Sequence, residues 1–323
     1  MSVAEAGWVP IRIFRDGERW SVDWCRLGAE RFTDPFFEQT VRRCLSRPFN
    51  LAFRRITSLD DLPESNPHAV APAGFLFHLS RSGSTLVSQT FAASADTLVL
   101  SEAGPIDEVL RGSRHEPGVS DEARVRRLRA LIAAYGAALR GTRHLVVKCD
   151  AWHVFDLAIF ERAFPGVPWF FLYRDPVEIM VSHARSQSWF MSAVNAPTLL
   201  GLSAAEAMRV PVAEYHARAL ARLCDAVLTY GVTPERLIGY EELPEAIDAR
   251  IAPAFGISLG SENRAAAARD AKHPERAFVP DAHEKRTSAD VPMLAAVERW
   301  LQAPYARLEA IRNRERTIAA SRP

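Results

Sequence analysis

Five short runs dominated by apolar residues, Phe75–Leu79, Thr97–Leu100, Leu145–Val147, Trp169–Tyr173 and Arg236–Tyr240, punctuate the middle of this chain. Runs this short, without apolar–polar alternation, describe strands covered on both faces, and the helical stretches between them make the sheet parallel. The expected fold class is therefore α/β, a central parallel sheet flanked by helices. In such sheets ligands collect outside the carboxyl ends of the strands. Those ends carry Ser80-Arg81-Ser82-Gly83-Ser84-Thr85, Glu102, Lys148-Cys149-Asp150, Arg174 and Tyr240.

Helices are expected over Leu86–Ala93, Asp121–Leu139, 153–163, Pro176–Arg185 and Ala204–Tyr230. A terminal helical stretch, Pro292–Arg314, should break or kink before Pro304. Ahead of the sheet, Val9–Phe14 and Trp20–Cys25 flank Arg15-Asp16-Gly17-Glu18, a hairpin signal. Thr33-Asp34-Pro35 reads as the capped opening of a helix ending near Leu45, and 46–72, with four prolines, reads as loop. The division expected is an N-terminal extension over 1–70 and an α/β domain over 71–323.

Charge narrows the partners. Lys and Arg total 40 against 39 Asp and Glu, so the formal net charge is +1 and no basic field awaits nucleic acid or an anionic membrane. No apolar stretch approaches the ~20 residues of a membrane span. The opening MSVAEAGWVPIRIFRDGERW has neither a basic n-region nor an apolar h-region, so no secretion signal is expected. Cys25, Cys44, Cys149 and Cys224 form no CxxC pair, which argues against disulfides and against a cysteine zinc site. The expectation is a cytoplasmic protein that binds any anion locally.

The first strand end is the place for it. A strand, a loop of small residues and a helix starting inside the loop present backbone N–H groups and a helix N-terminus to an anion. Against the Walker pattern GxxxxGK(S/T), His78 through Thr85 aligns, with Gly83 as second glycine and Thr85 as hydroxyl. His78 replaces the first glycine, and Ser84 replaces the lysine that a nucleoside-triphosphate enzyme sets on its phosphates beside Mg²⁺. The loop carries its own cation at Arg81 instead.

With these residues in view, Gly74 to Leu243 resembles the sulfotransferases that use 3′-phosphoadenosine 5′-phosphosulfate (PAPS). FLFHLSRSGSTL is similar to that family's 5′-phosphosulfate loop, YRDPVEIMVSHARS to its 3′-phosphate motif, and IGYEEL to its following strand and acidic turn. The resemblance implies PAPS as donor co-substrate, with Arg81, Ser82, Gly83, Ser84 and Thr85 as cradle and Arg174 and Ser182 on the 3′-phosphate. No His/Cys/Asp cluster has metal-ligand spacing, and sulfuryl transfer does not demand a metal, so none is expected. One branch of the family has a loop lysine and a Lys-x-His at the third strand, where this chain has Arg81 and Lys148-Cys149-Asp150. The tyrosylprotein and related bacterial branch has a loop arginine and a glutamate after the second strand, which Glu102, 21 residues beyond Arg81, resembles.

Sulfuryl transfer to a hydroxyl is an in-line displacement governed by positioning and electrostatics. Glu102 is the expected base, with Asp150 as competitor or as salt-bridge partner of Lys148. Lys148, with Arg81, is assigned to the leaving oxygen. Only three lysines stand among thirty-seven arginines, so a compact ammonium at 148 serves something an arginine fork does not. Tyr240 is placed near the adenine or in the core, and Lys285 and Arg286 over the nucleotide, within a segment that also holds Lys272 and His273. His183 and His216 are read as surface or core histidines, and Trp189, Phe190 and Met191 as an acceptor wall or packed loop. The acceptor is a small-molecule or peptide hydroxyl. The rival readings are a P-loop kinase using ATP and Mg²⁺, and a non-catalytic nucleotide-binding module.

Overall fold

The computed structural model describes residues 7–17, 19–114, 119–138, 141–186, 191–194, 197–270, 275–279 and 282–320. Strands β1 (Trp8–Asp16), β2 (Arg19–Arg26) and β3 (Arg55–Ser58) form an antiparallel sheet. Strands β4 (Pro72–His78), β5 (Thr97–Ser101), β6 (His144–Lys148), β7 (Trp169–Tyr173) and β8 (Leu237–Gly239) form a parallel sheet in the order β5-β6-β4-β7-β8. The helices include α1 (Phe37–Leu45), α2 (Pro48–Ala52), α3 (Ser84–Ala92), α4 (Gly104–Arg114), α5 (Asp121–Ala138), α6 (Leu157–Ala163), α7 (Pro176–Arg185), α8 (Ala204–Ala207) and α9 (Val212–Tyr230). Every residue of β5 and β7 is buried, as strands with no alternation must be. Among the described residues no helix is long and apolar enough to cross a membrane, and all four cysteines are buried free thiols.

The chain divides into two compact units. The first comprises Met1–Leu76, Thr85–Trp169 and Pro244–Phe278. In it the hairpin lies on α4 and α5. The Tyr135 hydroxyl donates to the Pro10 carbonyl at 2.7 Å, and the Trp20 ring covers Gly112 so closely that an added Cβ would sit 2.4 Å from it. The second unit comprises Phe77–Ser84, Phe170–Leu243 and Val279–Pro323, and in it the C-terminal helix Gln302–Ala320 packs on α9 and β8.

Several expected elements differ. Residues 46–72 are not all loop: α2 and β3 lie within them, and β3 exists because it pairs with β2, where Trp24 Nε1 donates to Thr57 Oγ1 at 2.9 Å. Helix α1 begins at Phe37, because Asp34 is engaged by Thr40 and Arg43 rather than capping. Helix α4 was hidden by its Gly104-Pro105 opening, although proline is well accommodated in a first turn. The stretch 153–163 splits into a 3₁₀ turn, Ala151–Asp156, and α6, while Pro211 separates α8 from α9. Pro304 does not break its helix. A π-turn at Val297–Leu301 absorbs the missing N–H, as another at Ile247–Ile251 does ahead of Pro253.

Gly136 fixes how α5 meets the segment entering β4. Its carbonyl accepts from the Val70 N–H at 3.1 Å, and an added Cβ would lie 2.3 Å from the Val70 carbonyl oxygen, which is backbone and has little room to yield. Gly136→Ala should therefore destabilise the chain by about 3 kcal/mol, the upper range for overpacking, despite alanine's better helix propensity. A denaturant midpoint that rises in this variant would contradict that packing.

Candidate active site

In the second unit, β4 ends at His78, whose Nδ1 lies 3.1 Å from the Leu79 carbonyl, so the position aligned with the first Walker glycine is still strand. The loop then turns tightly. The Leu79 N–H donates to the Leu172 carbonyl at 2.8 Å, and the Ser82 hydroxyl lies within hydrogen-bond reach of both the Leu79 and Leu172 carbonyls, at 2.6 and 3.0 Å. Ser82 thus uses its hydroxyl to hold the loop. Gly83 adopts φ +87°, and a Cβ there would meet Leu243 at 2.6 Å and Tyr240 at 3.0 Å. Only glycine satisfies both the dihedral and the approach. Arg81 also sits at positive φ, +69°, and its Nε donates to Ser182 Oγ at 2.7 Å.

Two residues beyond glycine have positive φ among those described: Arg81 and Glu102. Non-glycine residues in this region cost on the order of 1 kcal/mol and concentrate where function requires them. Both were singled out from the sequence on other grounds.

Arg174 leaves β7 beside Asp175, whose carboxylate caps α7 by accepting from the Val177 and Glu178 N–H groups. The Arg174 guanidinium lies 3.7 Å above the Tyr240 ring and its Nε donates to Glu178 at 2.7 Å, both members of the pair being almost fully buried. Arg286, from the helix Ala282–Thr287, donates to Glu178 at 3.0 Å and to Asp175 at 2.9 Å. These groups, with Leu243 and Tyr305, line a cavity of about 370 Å³. Ser182 therefore pairs with Arg81, whereas Arg174 pairs with Glu178, a residue the sequence reading passed over although it stands only four residues on, in the first turn of α7. Lys285 is buried, while Arg286 is largely exposed.

The first unit holds the other candidates. Lys148, 1% exposed, ends β6 and places Nζ 2.7 Å from Glu102, 3.3 Å from Thr85 Oγ1 and 5.0 Å from the Phe36 ring centroid. An ammonium this deep requires a paired charge. Glu102 supplies it by turning to φ +54°, its N–H donating to the Lys148 carbonyl at 2.8 Å. The expected Lys148–Asp150 bridge is not what forms. Asp150 turns instead toward His153, whose Nε2 lies 3.7 Å away, and burial pushes its carboxyl up to about 7, with Glu102 and Asp107 adding to the rise. Phe36 was missed because it lies outside the stretch of resemblance.

Asp107, Asp150 and His153 form a grouping that sequence spacing does not reveal, their ligand atoms lying within 4.8 Å of one another. The Asp150 N–H points at His153 Nδ1 at 3.1 Å, which leaves the ring proton on Nε2, 3.2 Å from Asp107. In that tautomer Nε2 is a donor, so the trio is a hydrogen-bonded relay. Met191 is packed in the core, and Trp189, Phe190, Lys272 and His273 lie outside the described residues.

No family model and no curated protein sequence matches the chain. Among solved structures it is similar to a sulfotransferase from Alicyclobacillus acidocaldarius, at 16% identity over 76% of this chain and 97% of that one, with a TM-score of 0.44. It is also similar to sulfotransferase STF1 from Mycobacterium tuberculosis H37Rv (15% identity, 73% and 78% covered, TM-score 0.37) and to sulfotransferase STF9 from Mycobacterium avium (12%, 75% and 79%, 0.36). Likeness at that level fixes neither activity nor substrate.

His183, next to Ser182, is a core histidine whose ring stands 5.6 Å from that of His216. Neither ring nitrogen has a hydrogen-bond partner among the described residues, and burial, with His216 and Arg81 nearby, depresses it to about 3. The unfolded chain takes up a proton near pH 6.5 that the folded chain refuses. Stability should therefore fall as pH drops from about 6.5 toward 3, with this group contributing at most about 1.4 kcal/mol per pH unit. His183→Leu should remove that contribution, seen as a shallower decline in urea midpoints across this window and parallel curves above it.

Proposed function

We propose that this chain is a sulfotransferase that takes PAPS as donor and a hydroxyl group as acceptor. The observation that carries the reading is the buried Lys148 ammonium, held at once by the Glu102 carboxylate and by the Thr85 hydroxyl that closes the phosphate loop. One cation touching both a base and the end of an anion cradle is the pair of groups an in-line transfer requires. A nucleoside-triphosphate enzyme would instead have a lysine where Ser84 stands.

In this reading the 5′-phosphosulfate lies on the loop N–H groups of residues 81–85, with Arg81 oriented by Ser182. Arg174, flat on Tyr240, meets the 3′-phosphate. Gly83 supports the loop's shape, because a side chain there would strike Leu243 and Tyr240 and force the turn apart. As the acceptor oxygen bonds to sulfur, the bond from sulfur to the phosphate oxygen breaks. Glu102 takes the acceptor's proton, and Lys148 meets the charge that grows on the departing oxygen.

Calorimetry with 3′,5′-adenosine bisphosphate (PAP), the expected product, and with Mg-ATP separates this from phosphoryl transfer. PAP should bind without metal; binding of Mg-ATP alone would overturn the proposal. Glu102→Gln should lower turnover by at least ~10²-fold, the smaller value typical of a positioned base, while PAP affinity stays within a few-fold of wild type. Lys148→Ala should likewise lose turnover far more than binding. Near-normal turnover in both variants would remove Glu102 and Lys148 from the chemistry.

A further inference from the structure

Arg174 and Arg286 already hold an anion. Glu178 occupies both of them: one oxygen takes Arg174 Nε at 2.7 Å and the other takes Arg286 Nε at 3.0 Å, with the Glu178 side chain 4% exposed. The two arginines come from different elements, the end of β7 and the helix Ala282–Thr287, so the carboxylate sits where a shared oxyanion ligand would sit. Asp175 has a separate task, capping α7 with one oxygen and holding Arg286 with the other. On the same cavity wall Glu241 is held by Arg312, so each carboxylate there already has a guanidinium partner. A phosphate entering beside that set finds the two arginines occupied, unless one carboxylate gives way.

Resting on the donor reading above, we propose that Glu178 is an internal stand-in for the nucleotide's 3′-phosphate, displaced from Arg174 and Arg286 when the nucleotide binds and so setting the affinity and selectivity for 3′-phosphorylated adenosine. The argument is one of exchange. A buried carboxylate with both oxygens bonded to guanidinium groups is well stabilised, and the phosphate gains only the difference between its own bonds and those it replaces. Tyr240 keeps the Arg174 guanidinium flat throughout, so the exchange costs no reorientation of that group. Arg286, whose side chain is 59% exposed, is the partner able to follow either anion.

The test compares PAP with adenosine 5′-monophosphate, which lacks the 3′-phosphate, by calorimetry on the full chain. Glu178→Gln should tighten PAP about tenfold and leave the monophosphate within twofold, so the ratio of the two affinities rises. Glu178→Asp keeps the charge but is one methylene too short to span both arginines, and it should move PAP in the same direction by less. It also covers the case in which the glutamine variant fails to fold, which thermal melts of both variants will reveal. Loss of PAP affinity in the folded variants, or no change in the ratio, while wild type prefers PAP and Arg174→Ala abolishes that preference, would make Glu178 a support for Arg174 and overturn the inference alone. A wild-type chain that binds PAP no better than the monophosphate would overturn the donor reading and this inference with it.

Discussion

An ammonium group almost wholly out of water governs the carboxyl end of β6. Lys148 is held there by a carboxylate, a hydroxyl and an aromatic face, and removing any charged partner would strand a buried cation. The chain accepts a strained backbone to keep the carboxylate in place. β5 and β6 run in register to Ser101 and Lys148, and one residue later the strand pairing is extended by the Glu102 N–H reaching the Lys148 carbonyl. Glu102 therefore meets Lys148 twice, through backbone and side chain, and its left-handed conformation makes both contacts possible. An arginine fork would spread its charge over a wider front than one carboxylate and one hydroxyl can meet, which gives a physical reason for lysine in a chain that otherwise prefers arginine.

The same principle orders the second unit, with different partners. Arg81 is held by Ser182, Arg174 by Glu178 and the Tyr240 ring, and Arg286 by Glu178 and Asp175. Each cation has a bonded rotamer before any ligand arrives. Such pre-organisation lowers the entropy lost on binding. It also means that a ligand's oxygens replace existing bonds, so selectivity depends on how many of those bonds the incoming anion matches.

The sequence made legible those elements whose boundaries are local chemistry. β7 and α7 fall on the expected residues, because an all-apolar run stops at Arg174 and Asp175-Pro176 is a capped first turn. β3 was not legible, since a four-residue strand owes its existence to β2 alongside it. The start of α1 moved because Asp34 was drawn to Thr40 and Arg43. For the site, the residue types and their places at strand ends could be read, and the pairings among them could not. Nothing in an arginine or a glutamate announces positive φ, and Glu178 looks like any acid on a helix until Arg286, more than a hundred residues away, is seen to hold it.

The choice between two bases shows why pairings matter. Asp150, pushed up to about 7, has the proton affinity one would select for a base working near neutrality. Geometry is the prior test, however, and Asp150 is buried with its N–H and its carboxylate both turned to His153, which in turn faces Asp107. Glu102 has a quarter of its side chain exposed and its carboxylate already on the ammonium assigned to the leaving oxygen. Under the proposed reading, a proton accepted at Glu102 weakens its hold on Lys148 at the moment the departing oxygen needs that cation. Base and electrophile are then coupled through one ion pair, which Asp150, facing His153, does not provide.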